Sequence, residues 1–245
     1  MEKIWKDEYK IHSYEMDAGG KVNLQVLCKF MQESAYNHAE NMKLGFSHLT
    51  EKELFWILSR LKIRIFTYPE WNDMITIHTW HSGRDRLFYY RDFRITDASG
   101  RVIALAATAW LSIDLHSRKP VRLEDFFAIN VEDSENVFEH RIGKLPVLQS
   151  GDAVKVIETA YGDVDVNSHV NNIRYMDWVL DSYPLGFHRA HSLEEFEINF
   201  VSEARYGDRL TVMRENFDKA SVLHSIVRES DGKDVVRVRI EWKTI

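Results

Sequence analysis

Cysteine is nearly absent from this sequence, since Cys28 is the only one among 245 residues. A single cysteine excludes an internal disulfide framework and a four-thiolate metal site, and it is typical of a reducing compartment. The sequence also lacks any apolar run close to the roughly 18 residues that a membrane-spanning helix requires. Its charged first residues, "MEKIWKDE", show no export signal or transit segment. We therefore predict a cytoplasmic protein without a membrane span.

An excess of positive charge is missing as well. Lysine and arginine number 32 against 38 acidic residues, which leaves a formal net charge of -6 and a pI near 6.0. Nucleic-acid-binding proteins usually carry a basic surface, so we expect no nucleic-acid partner. The sequence does have 44% hydrophobic and 12% aromatic residues, which is enough for a substantial folded core.

One helical pattern and several strand patterns occupy the first half of the chain. Residues 22–42 carry apolar side chains at the spacing of a helix with one buried face. Strand patterns follow at 61–65, 74–80, 87–95 and 102–113, with turn residues at 69–73 and 97–100. These runs predict antiparallel strands after the helix.

The second half repeats this order. A helical pattern at 170–183 precedes strand patterns at 196–201, 209–213, 220–229 and 235–242. At a constant offset of 148 positions, Asp17, Val22, Asn23 and Ser34 match Asp165, Val170, Asn171 and Ser182. Farther along the chain, Asp73 matches Asp208 at an offset of 135, and Gly100 matches Gly232 at 132. Shorter loops in the second copy account for the falling offset.

Two copies of one unit explain these matches better than two unrelated α+β domains. Each copy would have a strand, a long helix and a four-stranded meander that wraps the helix and buries its apolar stripe. This is an α+β fold, a tandem or double hotdog. We predict an N-terminal unit at 1–130, a solvated connector at 131–152 that begins with the acidic stretch "VEDSE", and a C-terminal unit at 153–245.

The second copy has a set of polar residues that the first copy lacks. Asp165, Asn167, His169 and Glu203 stand where the first copy has Asp17, Gly19, Lys21 and Tyr68. Asp and Asn before a helix are also ordinary N-cap residues, and a single glutamate is usually a solvated acid. Capping requires only one residue, however, and it requires no acid 34 positions after His169. The combination therefore indicates a reactive site in the C-terminal unit.

Four segments carry a resemblance to a known family, namely "MQESAYNHAE", "LFWILSRLKIRIFTYPEWNDMITIHTW", "DVNSHVNNIRYMDWVLDS" and "SEARYGD". In this order, over nearly the whole chain, they resemble the acyl-acyl carrier protein thioesterases of fatty acid synthesis, plant plastid and bacterial. The resemblance implies a double hotdog that hydrolyses fatty acyl thioesters on acyl carrier protein. It also implies a catalytic network at Asp165, Asn167, His169 and Glu203. Plant members begin with a plastid transit segment, and the first residues of this sequence show no such pattern. The resemblance therefore implies a bacterial, cytosolic protein.

One position departs from the family pattern. Plant relatives often carry a cysteine beside the glutamate, whereas this sequence has Ala204. A thiolate nucleophile at that position is therefore excluded. Cys28 lies on the first predicted helix, in the copy without the polar set, and we interpret it as a small apolar core residue.

Thioester hydrolysis needs an activated water and a donor aimed at the developing oxyanion. We expect Glu203 and His169 to orient and deprotonate the water, while Asn167 contacts the water or the carbonyl. Asp165 would fix its neighbours by hydrogen bonding. The backbone N–H groups of Val170 and Asn171, at the start of the second helix, are predicted to polarise the thioester carbonyl. No cofactor is expected.

The copy without the polar set is expected to bind the acyl chain. Candidates, which also fit a plain core, are Phe30, Met31, Phe55, Trp56, Ile57 and Leu58. We select Trp56 as a substrate-binding residue because the resemblance implies that its segment lies near the acyl tunnel. Carrier proteins are acidic, so a basic docking surface is predicted from Arg84, Arg86, Arg91, Arg94, Arg118, Lys119 and Arg122.

Other functions remain open on the sequence. An acyl-CoA thioesterase of hotdog type shares the chemistry, and a non-catalytic acyl-thioester-binding sensor shares the fold. His188 and His191 lie near Glu194 and Glu195, but this spacing fits no closed tetrahedral site, so we predict a surface loop and no metal. A monomer and a homodimer are both compatible with hotdog units that pair through their sheets.

Overall fold

The computed structural model describes residues 3–127, 134–218 and 220–245. The chain divides into two compact units, Met1–Ile142 and Gly143–Ile245. The first part of the predicted acidic stretch, residues 131–133, lies outside the described residues. No helix in the described parts of the chain is long and apolar enough to cross a membrane.

The first unit combines one long helix with an antiparallel sheet. Its elements are β1 (Trp5–Lys10), α1 (Leu24–Asn41), α2 (Phe46–Thr50), β2 (Leu54–Ile65), β3 (Met74–Asp85), β4 (Phe88–Asp97), β5 (Val102–Asp114) and β6 (Pro120–Val121). The strands lie in the order β1-β3-β4-β5-β2, and β6 pairs with β5. This confirms the predicted helix and the four predicted strands, and it adds α2 and β6.

The second unit has the same order of elements. They are β7 (Asp152–Glu158), α3 (Asn172–Leu180), α4 (Leu185–Ala190), β8 (His191–Phe200), β9 (Arg209–Asn216), β10 (Ser221–Arg228) and β11 (Lys233–Thr244). The strands lie in the order β7-β9-β10-β11-β8. The prediction of a surface loop around His188 and His191 is wrong, because those residues lie in α4 and at the start of β8.

Helix α1 is stable because one of its faces is apolar. Its buried residues are Leu24, Val26, Leu27, Cys28, Met31, Ser34, Ala35 and His38, which recur at helical spacing. Burial of each large apolar side chain contributes roughly 1.5–3 kcal/mol. The helix ends at Asn41, just before Lys43 adopts a left-handed φ of 59°. Cys28 is only 2% exposed, which confirms its interpretation as a core residue.

The duplication extends to individual backbone hydrogen bonds. Ile11 N–H donates to the Asp73 carbonyl at 2.9 Å, and Thr159 N–H donates to the Asp208 carbonyl at 3.0 Å. Donor and acceptor are shifted by the same offsets, 148 and 135, that the sequence match requires. The predicted tandem hotdog is thereby confirmed as a repeat of backbone structure as well as of sequence.

The predicted meander is wrong in one respect, the order of the strands. β2 pairs with β5 and not with β3, and in the second unit β8 pairs with β11 and not with β9. The β2–β3 connection spans 66–73 and is too long for a tight hairpin. Side-chain periodicity reports which face of a strand is buried, and it contains no information about which strand lies alongside.

The described part of the predicted connector is only partly solvated, because several of its apolar residues are buried or half-buried. In the first unit, Val137, Phe138 and Ile142 pack on Tyr90 and on two alanines of β5. Ile142 is 3% exposed, and its carbonyl accepts a hydrogen bond from Arg60 at 3.0 Å. The charged residues of this stretch indicate a solvated connector, whereas its apolar residues cover one face of the sheet.

The same segment continues into the second unit. Leu145 is buried there, and its N–H donates to Asn199 Oδ1 at 2.7 Å. Its carbonyl accepts from Arg237 at 3.3 Å. Each unit therefore holds its own part of the connector by apolar contact and by side-chain hydrogen bonds to the backbone.

Arg91 does not belong to a basic surface, so that part of the docking prediction is wrong. It is 8% exposed, and its Nη1 lies 2.8 Å from His38 Nδ1 and 3.2 Å from Thr79 Oγ1. Burial lowers the pKa of Arg91 to about 10. Its position on β4 directs it to the helix side of the sheet, where His38 of α1 meets it.

Asp92, the next residue on β4, anchors the connector on the opposite side. Its Oδ2 accepts a hydrogen bond from Val137 N–H at 2.9 Å, and the residue is 3% exposed. Burial raises the pKa of Asp92 from 3.8 to about 6. The folded protein thus holds this proton more tightly than the unfolded chain does. Stability from this group is present at low pH and is lost as the pH rises through about 6.

We expect Asp92→Asn to raise the Tm by about 2–4 °C near pH 7.5, because asparagine keeps the acceptor oxygen without a buried charge. Near pH 4 the shift should nearly vanish, since Asp92 is then already neutral in the folded protein. The control is Asp97→Asn, because hydrogen bonds from Ser99 and Arg101 lower the pKa of that carboxyl. Asp97→Asn should lower the Tm near pH 7.5. Calorimetry at both pH values checks this, and equal Asp92→Asn shifts at the two would contradict it.

Candidate active site

The residues 165–169 form a tight turn just before α3. Val164 and Val170 make an isolated antiparallel bridge, and Asp165 N–H donates to the His169 carbonyl at 2.9 Å. Ser168 N–H donates to the Asp165 carbonyl at 3.0 Å, and Ser168 has a left-handed φ of 61°. The turn therefore holds the His169 side chain at the mouth of the helix.

Asp165 organises this turn through its side chain. Its Oδ1 accepts a hydrogen bond from Asn167 N–H at 2.8 Å. In the first unit, Asp17 Oδ1 accepts from Gly19 N–H at the same distance, 2.8 Å. A carboxylate with the same contact in both units is part of the shared scaffold and does not distinguish the second unit chemically.

His169 and Glu203 are the pair that distinguishes the second unit. His169 Nε2 lies 3.0 Å from Glu203 Oε2, and the two side chains are 20% and 43% exposed. An ionised carboxylate can only accept, so the proton of a neutral imidazole lies on Nε2 and Nδ1 carries the lone pair. At the matching positions of the first unit, Lys21 Nζ lies 5.5 Å from the centre of the Tyr68 ring. That pair has neither a carboxylate nor an imidazole.

Asn167 lies at the exposed tip of the turn. It follows Val166, which is 99% exposed, and its own side chain is also exposed. Its backbone N–H is occupied by Asp165, so the hydrogen-bond donors that Asn167 can offer to a substrate are those of its carboxamide. A carboxamide offers two N–H donors and one acceptor oxygen.

The predicted backbone donors are already occupied. Val170 N–H donates to the Ala204 carbonyl at 2.9 Å, and Asn171 N–H donates to the Asp163 carbonyl at 2.8 Å. Each N–H has one hydrogen, so the prediction that these two groups polarise a thioester carbonyl is wrong for this geometry. Sequence position relative to the helix cannot reveal that acceptors from other segments occupy them.

The N-cap of α3 is Asn171. Its side-chain oxygen accepts a hydrogen bond from Ile173 N–H at 3.0 Å, and its backbone is extended, as a cap residue requires. The capping interpretation of the polar set therefore applies to none of Asp165, Asn167 and His169. These three residues precede the cap and belong to the turn.

Arg174 supports the turn and was missed by the sequence analysis. Its Nε donates to Asp163 Oδ1 at 2.6 Å, and its Nη1 donates to Asp177 Oδ2 at 2.8 Å. The position 148 residues earlier is Val26, which cannot make such contacts. A residue-by-residue match along the whole helix, and not only within the turn, would have revealed this difference.

Trp56 lies in an apolar cluster of the first unit. It packs on Leu44, Leu49, Leu54, Tyr89 and Leu123. Its indole N–H donates to the Leu44 carbonyl at 2.9 Å, and its ring meets Tyr89 edge-on at 5.4 Å. Contact with an acyl chain remains a prediction for Trp56.

Two family models together match most of the chain. The acyl-ACP thioesterase N-terminal domain matches residues 2–129, and the acyl-ACP thioesterase C-terminal domain matches residues 146–244. The chain belongs to the acyl-ACP thioesterase family. Membership confirms the resemblance that the sequence motifs carried.

Curated relatives of this family member include plant plastid proteins. A chloroplastic acyl-[acyl-carrier-protein] hydrolase of Cuphea viscosissima is 26% identical over 98% of this chain and 62% of its own length. A chloroplastic palmitoyl-acyl carrier protein thioesterase of Gossypium hirsutum is 26% identical over 98% of this chain and 64% of its own. The chain therefore spans less than two thirds of the length of these relatives.

Solved structures of family members share the fold. An acyl-ACP thioesterase from Bacteroides thetaiotaomicron has a TM-score of 0.89 and 26% identity, with 98% of each chain covered. A 12:0-ACP thioesterase from Umbellularia californica has a TM-score of 0.84 and 22% identity, with 100% of this chain and 99% of that one covered. Both support the double hotdog architecture.

The described parts of this family member contain no group of three or more His, Cys, Asp or Glu side chains arranged to hold a metal ion. The polar side chains at and beside the turn are an imidazole, two carboxylates and a carboxamide. Such a set can transfer protons and donate hydrogen bonds to a carbonyl oxygen.

We expect Asn171→Ala to lower the free energy of unfolding by about 1 kcal/mol, because Ile173 N–H loses its capping acceptor. The matched control is Asn172→Ala, at the first helical position, which should change the free energy by less than about 0.5 kcal/mol. Urea unfolding followed by circular dichroism measures both. Equal losses in the two variants would contradict a capping role that is specific to Asn171.

Proposed function

We propose that this protein hydrolyses fatty acyl-acyl carrier protein to a free fatty acid and holo carrier protein, as a step of fatty acid synthesis. Family membership supports the substrate class. The observation that supports hydrolysis is the 3.0 Å contact between His169 and Glu203. This pair can accept a proton from water, and the matching positions of the first unit, Lys21 and Tyr68, have no such pair. The plant relatives described above are acyl carrier protein hydrolases or thioesterases by name.

In the proposed mechanism, His169 deprotonates a water molecule. Glu203 orients the imidazole through Nε2 and stabilises the imidazolium that forms. The water oxygen attacks the thioester carbonyl carbon, and the water proton passes to the imidazole. The tetrahedral intermediate then collapses with cleavage of the C–S bond, and the imidazolium returns the proton to the departing thiolate.

Asn167 is the proposed side-chain donor to the oxyanion. The N–H groups of Val170 and Asn171 are occupied, whereas the Asn167 carboxamide is exposed beside His169 in the same turn. Loss of a single oxyanion donor typically costs about 10² to 10³ in turnover. Asp165 would act on Asn167 and His169 by holding the turn, and would not itself react.

We predict that Glu203→Gln and His169→Ala each lower kcat by about 10² or more, since either change removes half of the proton-accepting pair. The matched control is His12→Ala, because His12 Nδ1 lies 3.2 Å from Glu15 Oε2 in an exposed histidine–carboxylate pair of the first unit. That variant should keep wild-type turnover. Thiol release from carrier-bound acyl chains measures all three rates.

Near wild-type rates for both site variants would overturn the mechanism. Isolation of an acyl-enzyme on Asp165 or Glu203 would replace water attack with covalent catalysis. A wild-type protein that binds acyl thioesters and releases no thiol would instead be a sensor.

The proposed partner, acyl carrier protein, would dock on exposed cations of the first unit. Arg84 and Arg94 already pair with Glu124 and Glu135, at 3.0 Å and 3.9 Å. The exposed cations of the predicted set also include Arg118, Lys119 and Arg122, which lie together beside β6. An acidic carrier is attracted to such a group, and the attraction weakens with salt.

We predict that combined reversal of Arg118, Lys119 and Arg122 to glutamate raises KM for acyl carrier protein substrates at least about fivefold at low salt, because like charges then repel the carrier. The KM for the matching acyl-CoA should change by less than about twofold. A control with the same change in net charge reverses three exposed cations of the second unit, Lys144, Arg189 and Lys243. Equal effects of the two triple variants would remove the docking proposal, and a wild-type preference for CoA would identify an acyl-CoA thioesterase.

A further inference from the structure

Glu203 lies in a segment without regular secondary structure. β8 ends at Phe200 and β9 begins at Arg209, so residues 201–208 connect two strands. The Glu203 side chain is 43% exposed, and a half-exposed glutamate has many rotamers of similar energy. Its contact with His169 therefore depends on how firmly the backbone beside it is held.

Arg228 holds the carbonyl of Glu203. Its Nη1 donates to the Glu203 backbone oxygen at 2.6 Å. Its Nε and Nη2 donate to the two oxygens of Asp231 at 3.0 Å and 2.7 Å. The bidentate pair fixes the plane of the guanidinium, and the remaining nitrogen then has a defined direction toward Glu203.

Tyr175 holds the N–H of the same peptide group, and Val170 holds the carbonyl of the following one. The Tyr175 hydroxyl oxygen accepts a hydrogen bond from Ala204 N–H at 3.3 Å, and Val170 N–H donates to the Ala204 carbonyl at 2.9 Å. Tyr175 is 2% exposed, and burial raises its pKa, which keeps the hydroxyl protonated. Both contacts start from α3 or its entry, the same element that positions His169.

These side-chain anchors have no counterpart among the described residues of the first unit. The positions that match Tyr175 and Ala204 are Leu27, which has no hydroxyl, and Pro69, which has no N–H.

The counterpart of Arg228 is Asp97, since the backbone carbonyl of each accepts a hydrogen bond at 2.9 Å from the N–H of the glycine in the following turn. The Asp97 carboxylate accepts hydrogen bonds from the backbone N–H groups of Ser99 and Arg101 within its own turn. The anchors are thus present in the unit that has Glu203. They are absent from the described first unit, in which Tyr68 occupies the position that matches Glu203.

We propose that Tyr175 and Arg228 are positioning residues that hold the Glu203 backbone so that its carboxylate meets His169. Each side chain acts on a backbone atom at or next to Glu203. The kinetic part of this proposal rests on the proposed thioesterase function, whereas the anchoring of Ala204 N–H does not.

Tyr175→Phe tests the hydroxyl with little change in shape. We expect kcat for carrier-bound acyl thioesters to fall about 5-fold to 20-fold, since a displaced reacting group lowers turnover, and KM to change less than about twofold. Amide hydrogen exchange at Ala204, measured by NMR, should accelerate because that N–H loses its acceptor.

Tyr183→Phe is the matched control. Its hydroxyl lies 3.0 Å from His224 Nε2, and the residue is also buried and follows the other end of α3. This change removes an equally buried hydroxyl from the same unit. It should leave kcat and Ala204 exchange at wild-type values, even where it lowers stability. Equal kinetic effects of the two variants would overturn the proposal.

Arg228→Lys and Arg228→Gln test the second anchor. Lysine has one donor group and cannot pair bidentately with Asp231 while reaching Glu203, so partial activity is expected for lysine and lower activity for glutamine. Arg209→Gln is the control, because Arg209 pairs with Glu229 at 3.0 Å on the same sheet. Wild-type kcat in Arg228→Gln would overturn the role of Arg228.

Addition of Tyr175→Phe to Glu203→Gln separates positioning from other effects. If Tyr175 acts through Glu203, the double variant should be as slow as Glu203→Gln alone. A further loss equal to that of the single variant would overturn the proposal. If the wild-type protein releases no thiol from any acyl thioester, the proposed function fails, while exchange at Ala204 still decides whether Tyr175 anchors the segment.

Discussion

Packing of the helix on the sheet in the second unit is the constraint on which the site depends. α3 buries Ile173, Met176 and Val179 against the strands, and this sets the position of its first turn. The hydrogen bond from Val170 N–H to the Ala204 carbonyl, 2.9 Å long, then joins the helix entry to the segment after β8. His169 and Glu203 each precede one end of that bond. Their side chains consequently meet at 3.0 Å.

Comparison of the two units shows which residues of the turn serve the backbone and which differ in chemistry. Asp17 and Asp165 organise the same turn with the same 2.8 Å contact, so the acidic residue serves the backbone in both units. At the next positions the units diverge, because Lys21 and Tyr68 make a cation–π contact where the second unit has its imidazole and carboxylate. The same backbone accommodates either pair, so the side chains at these positions decide which chemistry the location could support.

The membership of the candidate site was easier to predict from sequence than the roles within it. The polar set follows from comparison of the two halves, since matched positions reveal what one half has and the other lacks. Backbone donors are different, because the N–H groups of Val170 and Asn171 are used by Ala204 and Asp163. Arg91 shows the same limit for charge, since its burial beside His38 depends on which face of β4 meets the helix. Neither outcome can be predicted from the spacing of residues along one segment.

By itself, the sequence determined the two long helices, most strands, the turns and the repeat, because apolar periodicity and turn residues are local properties of the chain. The tertiary structure alone decided that β2 lies beside β5, that the segment around Ile142 covers a sheet, and that Tyr175 and Arg228 hold the backbone beside Glu203. Each of these depends on hydrogen bonds and packing between residues distant in sequence. Those partners are determined only when the helix and strands pack together, because buried surface and hydrogen-bond donors must then be shared among all the elements.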